Sequence, residues 1–203
     1  RPTNIMGGTK LLSELIVKIS AINNENNTKF TAVRFGNVID SSGSVIPIFR
    51  EQIKNGGPVT VTHPDMERFF MTISEAVQLV LQASVLSLGG ETFILNMGQP
   101  VKIIDIAKKM IFASGLKIKD NKNKNGDIEI KIIGIKAGEK LKEELLINGK
   151  IVNTVHPLIN KAEEDIKIDP ELNNKINQLI DFTKSNNKKD ALKIFHKIVD
   201  DFK

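Results

Sequence analysis

Cysteine, tryptophan and tyrosine are absent from this 203-residue chain, and histidine occurs three times. Without cysteine there is no disulfide, no thiolate metal site and no cysteine nucleophile. Three histidines are too few for a histidine-rich metal centre. The lack of tyrosine removes the phenol that some nicotinamide enzymes use as acid or base. Long apolar runs are missing as well. No stretch approaches the ~20 consecutive apolar residues of a membrane span, and nothing reads as a signal peptide. No Ser-His-Asp order and no paired carboxylates at helical spacing suggest a hydrolase.

What is present is the composition of an ordinary globular protein, 40% hydrophobic and 26% charged. The length fits one large domain or two small ones. The net charge of +5 and the pI near 9.3 raise nucleic acid as a partner. Against this, the basic residues are 25 Lys and only 4 Arg, and Arg is the better reader of phosphates and bases. The one locally basic stretch, Lys117 to Asn125, reads as a solvated loop. No nucleic-acid partner is therefore expected.

Helix-like and strand-like segments alternate, as in α/β proteins, without internal repeats. Helices are expected over about Asn4–Ile22, from Ser44 to about Lys54, from Thr72 to about Leu88, over Val101–Ser114 and over Gly138–Ile147. Two more are expected from about Asp169 onward, split near Ser185-Asn186-Asn187. Strands are expected at Lys29–Phe35, Val59–Thr62, Thr92–Asn96 and Asp127–Ile133, with a further short apolar stretch at Phe69–Thr72. Thr72-Ile73-Ser74-Glu75 has capping-box form. The chain opens almost directly in a helix, and no Gly-x-Gly-x-x-Gly separates a strand from a helix. It therefore reads as the back part of a larger α/β protein.

Several residues could carry chemistry, each with a plainer alternative. At ~100° per residue the first helix puts Leu11, Leu12, Leu15, Ile16, Ile19 and Ile22 on one broad face. Met6, Lys10 and Ser13 form a stripe opposite, with Met6 and Lys10 as i, i+4 neighbours. Lys10 is either functional or a solvated lysine. Gly36-Asn37 ends a strand, where ligands of open α/β sheets bind, and is equally turn chemistry. Ser41-Ser42-Gly43-Ser44 offers hydroxyls and free N–H groups at a helix start, for an anion or for an N-cap. Arg68, rare in so Lys-rich a chain, hints at a forked anion contact, or at a surface ion pair with Glu67 or Asp65. Glu139 could accept from ribose hydroxyls or merely complement a helix dipole. His63 and His156 each precede a proline and read as structural.

Taken as an ordered string these motifs resemble a known family. They are Pro2-Thr3-Asn4-Ile5-Met6-Gly7-Gly8-Thr9-Lys10, Val33-Arg34-Phe35-Gly36-Asn37-Val38, Gly43-Ser44-Val45-Ile46-Pro47-Ile48-Phe49, Pro58-Val59-Thr60-Val61-Thr62-His63-Pro64 and Arg68-Phe69-Phe70-Met71-Thr72. Asn96-Met97-Gly98, Gly138-Glu139-Lys140-Leu141 and His156-Pro157 extend the likeness over nearly the whole chain. The string resembles the CapD-like nucleoside-diphosphate-sugar 4,6-dehydratases of bacterial polysaccharide biosynthesis, within the extended short-chain dehydrogenase/reductase superfamily.

The resemblance implies the C-terminal part of such an enzyme: an α/β chain with an incomplete NAD(P)-binding Rossmann-type parallel sheet and a smaller α/β substrate-binding subdomain. It divides the chain into 1–40 as the tail of the cofactor domain, 41–160 as a nucleotide-sugar-binding region with a returning Rossmann strand near 92–96, and 161–203 as a helical tail. It places Lys10 on the nicotinamide ribose of NAD or NADP, with Met6 at the position usually held by tyrosine. A thioether is neither acid nor base, so Met6 can only shape the pocket. Asn37 and Arg68 would bind the diphosphate of a UDP-sugar, with Lys136 beside them. Ser44, Val45 and the strand Val59, Thr60, Val61 would flank the uridine, and Glu139 would take the ribose hydroxyls. The domain would face the cytoplasm, in a parent that in many relatives carries membrane helices upstream.

Three departures from the family pattern bear on activity. The glycine-rich cofactor half is not in the chain. The family's Asp-Lys pair before the segment matching Pro2 is missing, and Arg1 differs from the usual residue. The family's Arg-Pro-Gly-Glu is Lys136-Ala137-Gly138-Glu139, and Lys cannot fork onto phosphate. The chain alone is therefore expected to be inactive and to bind NAD poorly. An unpaired sheet edge and a bare inner face on the first helix would make it associate with itself or need its N-terminal half. A 4-epimerase or a 5-inverting dehydratase of the same superfamily, and a non-catalytic UDP-sugar-binding remnant, are the competing expectations.

Overall fold

The computed structural model describes residues 3–144, 146, 149–164 and 168–200. Arg1, Pro2, Leu145 and Ile147, which the motif and helix expectations touch, lie outside these residues.

Helix α1 (Ile5–Ile22) begins where expected because Asn4 caps it: its side chain accepts from the Gly7 N–H at 2.7 Å. Its buried stripe is Gly8, Leu11, Leu15 and Ile19, narrower than the sequence suggests. Ile16 and Ile22 are 40% and 70% exposed.

The central sheet holds β1 (Ala32–Arg34), β6 (Thr92–Leu95), β11 (Ile159–Glu163) and β10 (Lys150–Asn153), in the order β1-β6-β11-β10. β1 and β6 are parallel, with Val33 opposite Phe93. β11 joins β6 antiparallel and β10 joins β11 antiparallel. Every residue of β6 is buried, as suits a strand with neighbours on both sides and cover on both faces. Helix α3 (Ile73–Leu86) covers one face. Its Ala76, Leu79 and Ala83 share a core with Phe93, Leu95 and Ile159. The predicted capping box is formed: the Thr72 hydroxyl accepts from Glu75 N, and the Glu75 carboxylate accepts from Thr72 N.

A second core belongs to α2 (Val45–Lys54), α4 (Ile103–Ala113) and a small parallel sheet, β3 (Val59–Val61), β9 (Ile128–Ile132) and β8 (Ile118–Lys119). Phe49, Ile53, Val59, Val61, Met66, Ile103, Ala107, Ile111 and Ile128 fill it. Two short ladders complete the pairings. β2 (Asn37–Val38) pairs with β5 (Phe70–Met71), and β4 (Glu67–Arg68) pairs with β7 (Val101–Lys102). The basic stretch after β8 is a turn, held by Asp120, whose carboxylate accepts from Lys122 N and Asn123 N.

The third core corrects one expectation. Helices α5 (Leu172–Lys184) and α6 (Lys188–Asp200) form a hairpin whose Leu172, Phe195, Ile198 and Val199 pack on Leu11, Leu15 and Ile19. The inner face of α1 is thus covered by the chain's own C-terminal helices. β1 remains an outer strand of its sheet among the described residues.

Two further corrections concern elements. No helix forms over the described part of Gly138–Ile147. The carbonyls that would start it are taken: Lys140 O and Leu141 O accept from the Arg68 guanidinium, and Leu141 O also accepts from Glu67 N. The β10–β11 hairpin has no counterpart among the predicted strands. β10 is exposed throughout, so it lacks the alternating apolar signal that betrays a half-buried strand.

Candidate active site

Asn37, Arg68 and Glu139 come together around the carboxyl end of β1, where α/β sheets present ligands. Phe35-Gly36 leaves the strand there, and the Gly36 N–H points at the Met97 sulfur, 3.1 Å away. Asn37 is fixed through its backbone: its N–H donates to Phe69 O, and it sits opposite Phe70 in the β2–β5 ladder. Gly36 is required. A β-carbon there would lie 3.0 Å from Phe69 Cβ, 3.1 Å from Met97 Cε and 3.1 Å from a Glu143 carboxylate oxygen.

The loop from Lys136 to Glu144 closes over this end from the other side. Gly138, at φ +78°, makes the turn. Its carbonyl accepts from the Thr3 hydroxyl and the Asn4 amide, which ties the loop to the start of α1. Arg68 holds the loop's middle. Nη2 donates to Lys140 O at 2.7 Å, and Nη1 donates to Leu141 O at 3.2 Å and Glu67 O at 2.7 Å. Nη2 lies 3.9 Å from Glu139 Oε1, and Nε lies 3.5 Å from Glu143 Oε1. Its side chain is 13% exposed. The surface pairing with Glu67 or Asp65 is not formed, because Glu67 pairs with Lys142 and Asp65 with Lys102.

Glu139 accepts from the Thr62 hydroxyl at 3.3 Å and from Lys136 N at 3.2 Å. The turn therefore joins Lys136, Glu139, Arg68 and the end of β3. Lys10 and Met6 lie on the exposed side of α1, away from the α5–α6 packing, and Met6 is 66% exposed. The Lys10 charge reaches Glu143.

The expected uridine contacts divide. Val59 and Val61 are 0% and 1% exposed and belong to the second core, and Val45 packs against that core. Their side chains are turned inward, which leaves contact with a base to backbone and to Thr60. Thr60 is itself paired twice with Gln52. Ser44 starts α2 without capping it, and its hydroxyl is buried without a hydrogen-bond partner.

Two residues of the site carry no role in the sequence reading, although Arg34 stands in one of its motifs. Glu143 sits under Gly36 with one oxygen buried and unpartnered. Burial pushes its carboxyl above the ordinary range, against the opposing pull of Arg68 and Lys10. Arg34 is the other. It forks onto Glu14 of α1 (2.6 Å) and onto Glu164 after β11 (2.7 Å), so it fastens the Lys10 helix to the sheet. Burial works against the charge of Arg34, but the two carboxylates more than reverse that and raise its pKa. His63 and His156 serve turns: each Nδ1 accepts a backbone N–H two residues on.

The described residues hold no cluster of His, Asp and Glu suited to a metal ion. No helix among them is long and apolar enough to cross a membrane.

Comparison with known proteins agrees with this architecture. The chain is 54% identical over 157 residues to the capsular polysaccharide biosynthesis protein CapD of Staphylococcus aureus, covering 77% of this chain and 24% of that one. It is 37% identical over 146 residues to a UDP-glucose 4-epimerase of Rickettsia bellii, covering 71% of this chain and 40% of that one. The chain thus spans well under half the length of these relatives. Among solved structures, Pen from Bacillus thuringiensis superposes with a TM-score of 0.69 at 37% identity, over 83% of this chain and 50% of that one. The dTDP-glucose 4,6-dehydratase DesIV from Streptomyces venezuelae shares the fold, with a TM-score of 0.57 at 14% identity over 71% of this chain and 43% of that one. The family described as polysaccharide biosynthesis protein matches residues 1–164, and the chain, which shares the fold of nucleotide-sugar dehydratases such as DesIV, belongs to that family.

Proposed function

We propose that this chain is the C-terminal portion of a nucleotide-sugar 4,6-dehydratase that acts on a UDP-N-acetylhexosamine for surface polysaccharide synthesis. The observation that carries the reading is the closure of the Lys136–Glu144 loop on Arg68 and Thr62. It brings Arg68 and Glu139 together with Thr62 and ties Lys136 to Glu139 through its backbone N–H, next to Glu143, which lies against Gly36 beside Asn37 and feels the Lys10 charge. Two cations, an amide and a carboxylate in that order suit a diphosphate next to a ribose. On this reading residues 1–40 close the cofactor domain, 41–160 hold the nucleotide sugar and 161–203 are a helical tail.

A nicotinamide dinucleotide fits these residues at one point. Lys10 is exposed on the side of α1 away from its packing, free to donate to ribose hydroxyls. No glycine-rich strand–helix turn is present to take the pyrophosphate. When bound, the nicotinamide supplies a reversible hydride acceptor. The chain's own residues bind and orient: Lys10 places a positive charge near the reacting end, Met6 offers an apolar wall, and the loop shuts the sugar nucleotide from water. DesIV was solved with NAD and a nucleotide bound, which supports the same pairing here.

A 4-epimerase is the second reading, favoured by the Rickettsia relative. Analysis of the sugar product by NMR with the whole protein separates the two: a 4-keto-6-deoxy product against a 4-epimer. For the chain itself the test is titration calorimetry with UDP, UDP-GlcNAc and NAD⁺. We expect UDP-GlcNAc to bind, Lys136→Ala to weaken it and NAD⁺ to bind poorly. Binding unaffected by Lys136→Ala and by Arg68→Ala would remove the loop from the site. Micromolar NAD⁺ binding would overturn the view that the cofactor half lies elsewhere. A folded chain that binds no UDP compound would leave the third reading, a remnant.

A further inference from the structure

Glu143 has no role in the site as proposed, yet it stands at its centre. Its Oε1 is 3.5 Å from Arg68 Nε. Its Oε2 is buried, makes no hydrogen bond and lies where a Gly36 β-carbon would be 3.1 Å away. The charged groups that face it are Arg68 from β4 and Lys10 from α1, with Glu139 sharing the guanidinium from the same loop. Phe69 and Met97, which close around Gly36 with it, carry no charge. Three of the four remaining Arg68 N–H groups donate to the carbonyls of Glu67, Lys140 and Leu141, and Nη2 also faces Glu139 Oε1 at 3.9 Å. An anion that approaches this arginine therefore meets a guanidinium whose Nε edge a carboxylate already covers.

We propose that Glu143 is an internal counter-ion of the candidate site, covering the edge of Arg68 that an anionic ligand must share, so that a nucleotide diphosphate binds only against its competition. Gly36 packs tightly against this arrangement, since a β-carbon there would stand 3.1 Å from the carboxylate oxygen. The inference rests on the nucleotide-sugar reading of the site. A resident carboxylate beside the Arg68 guanidinium holds it in place when no ligand is bound. It also makes the site discriminate: a ligand with a full diphosphate can outcompete one carboxylate, and a single weak anion cannot.

The direction of the effect sets this apart from a structural role, since a lost structural contact weakens binding and a removed competitor tightens it. The probe is UDP-GlcNAc, whose diphosphate diester keeps a fixed charge near neutrality. We expect Glu143→Gln to bind it more tightly than the native chain by at least about fivefold, the lower end of ordinary coupling between sites. We also expect native affinity to rise as the pH falls and this slope to shrink in the variant. As a second measurement, calorimetry of the native chain in buffers of different ionisation enthalpy should show proton uptake on binding, because the arriving anion favours the neutral carboxyl. Native binding with equal or weaker binding by a folded Glu143→Gln overturns the counter-ion and leaves the nucleotide reading standing. If the variant does not fold, proton uptake by the native chain decides, and its absence overturns the proposal. Failure of both folded chains to bind UDP-GlcNAc overturns the nucleotide reading and the counter-ion together.

Discussion

Phe195 on α6 lies against Gly8 on α1 so closely that a β-carbon on the glycine would stand 2.5 Å from the ring's Cζ and 3.4 Å from a Val199 methyl. This contact lets the C-terminal hairpin seat on the helix that carries Lys10. Two effects oppose each other in Gly8→Ala. Alanine gains about 1 kcal/mol of helix propensity over glycine, while overpacking a filled core costs about 1–3 kcal/mol. With Phe195 6% exposed and Val199 behind it, overpacking wins. We expect net destabilisation of about 1 kcal/mol, read as a lower urea midpoint. In a Phe195→Leu background the same change should be neutral or stabilising, and a double-mutant cycle measures the coupling.

Arg34 makes the strongest single tie between α1 and the sheet. It holds Glu14 at 2.6 Å and Glu164 at 2.7 Å, and the Glu164 side chain is 3% exposed. Replacing it with leucine takes the fork from the buried Glu164 and the part-exposed Glu14, with Lys18 still near both, a loss of up to about 3–5 kcal/mol. A carboxylate that has lost its guanidinium costs less to keep out of water when neutral than when charged. Stability in Arg34→Leu should therefore recover as the pH falls through the carboxylate range, and the gap to the native chain should narrow. A gap that widened on acidification would show that the ion pairs are not what the arginine contributes.

Local signals carried the elements that rest on local chemistry. The Thr72–Glu75 box names its own helix start, and it forms as read. The elements that depend on distant partners stayed hidden. β10 and β11 become strands because β11 adds to β6, and nothing in Lys150–Asn153 alternates. Glu139 to Glu144 fails to coil because a strand 70 residues earlier takes its carbonyls. The site shows the same division. Lys10, Asn37, Arg68, Lys136 and Glu139 were legible as motif positions, whereas the burial of Val59 and Val61 and the place of Glu143 under Gly36 follow from packing alone.

The capping box offers a test with a defined pH signature. The Thr72 N–H and hydroxyl hold the Glu75 carboxyl below its ordinary range. A depressed carboxylate contributes stability that is present above its unfolded pKa and lost as the pH falls through the folded value. Thr72→Ala should cost about 1 kcal/mol near neutral pH. Part of that difference should vanish in acid, where the native box has itself been protonated. Equal losses at neutral and acidic pH would show that the threonine hydroxyl acts without the glutamate.

Glu143 predicts the opposite slope. Burial raises its carboxyl above the ordinary range, and the charges of Arg68 and Lys10 only partly offset this. A group whose folded pKa is raised contributes most where it is protonated in both states, and that contribution is lost as the pH rises through the folded value. The native chain therefore gives up stability between the ordinary carboxylate range and the elevated one. Glu143→Gln keeps the shape and removes the charge, so it should match or exceed the native stability at neutral pH. The advantage should fade as the pH falls, because the native carboxyl then becomes neutral too. Thermal melts of both chains across this range, at one salt concentration, read the difference directly. A variant less stable than the native chain at neutral pH, with the deficit persisting in acid, would mean that the pairing with Arg68 outweighs burial and that the fold prefers the charged form.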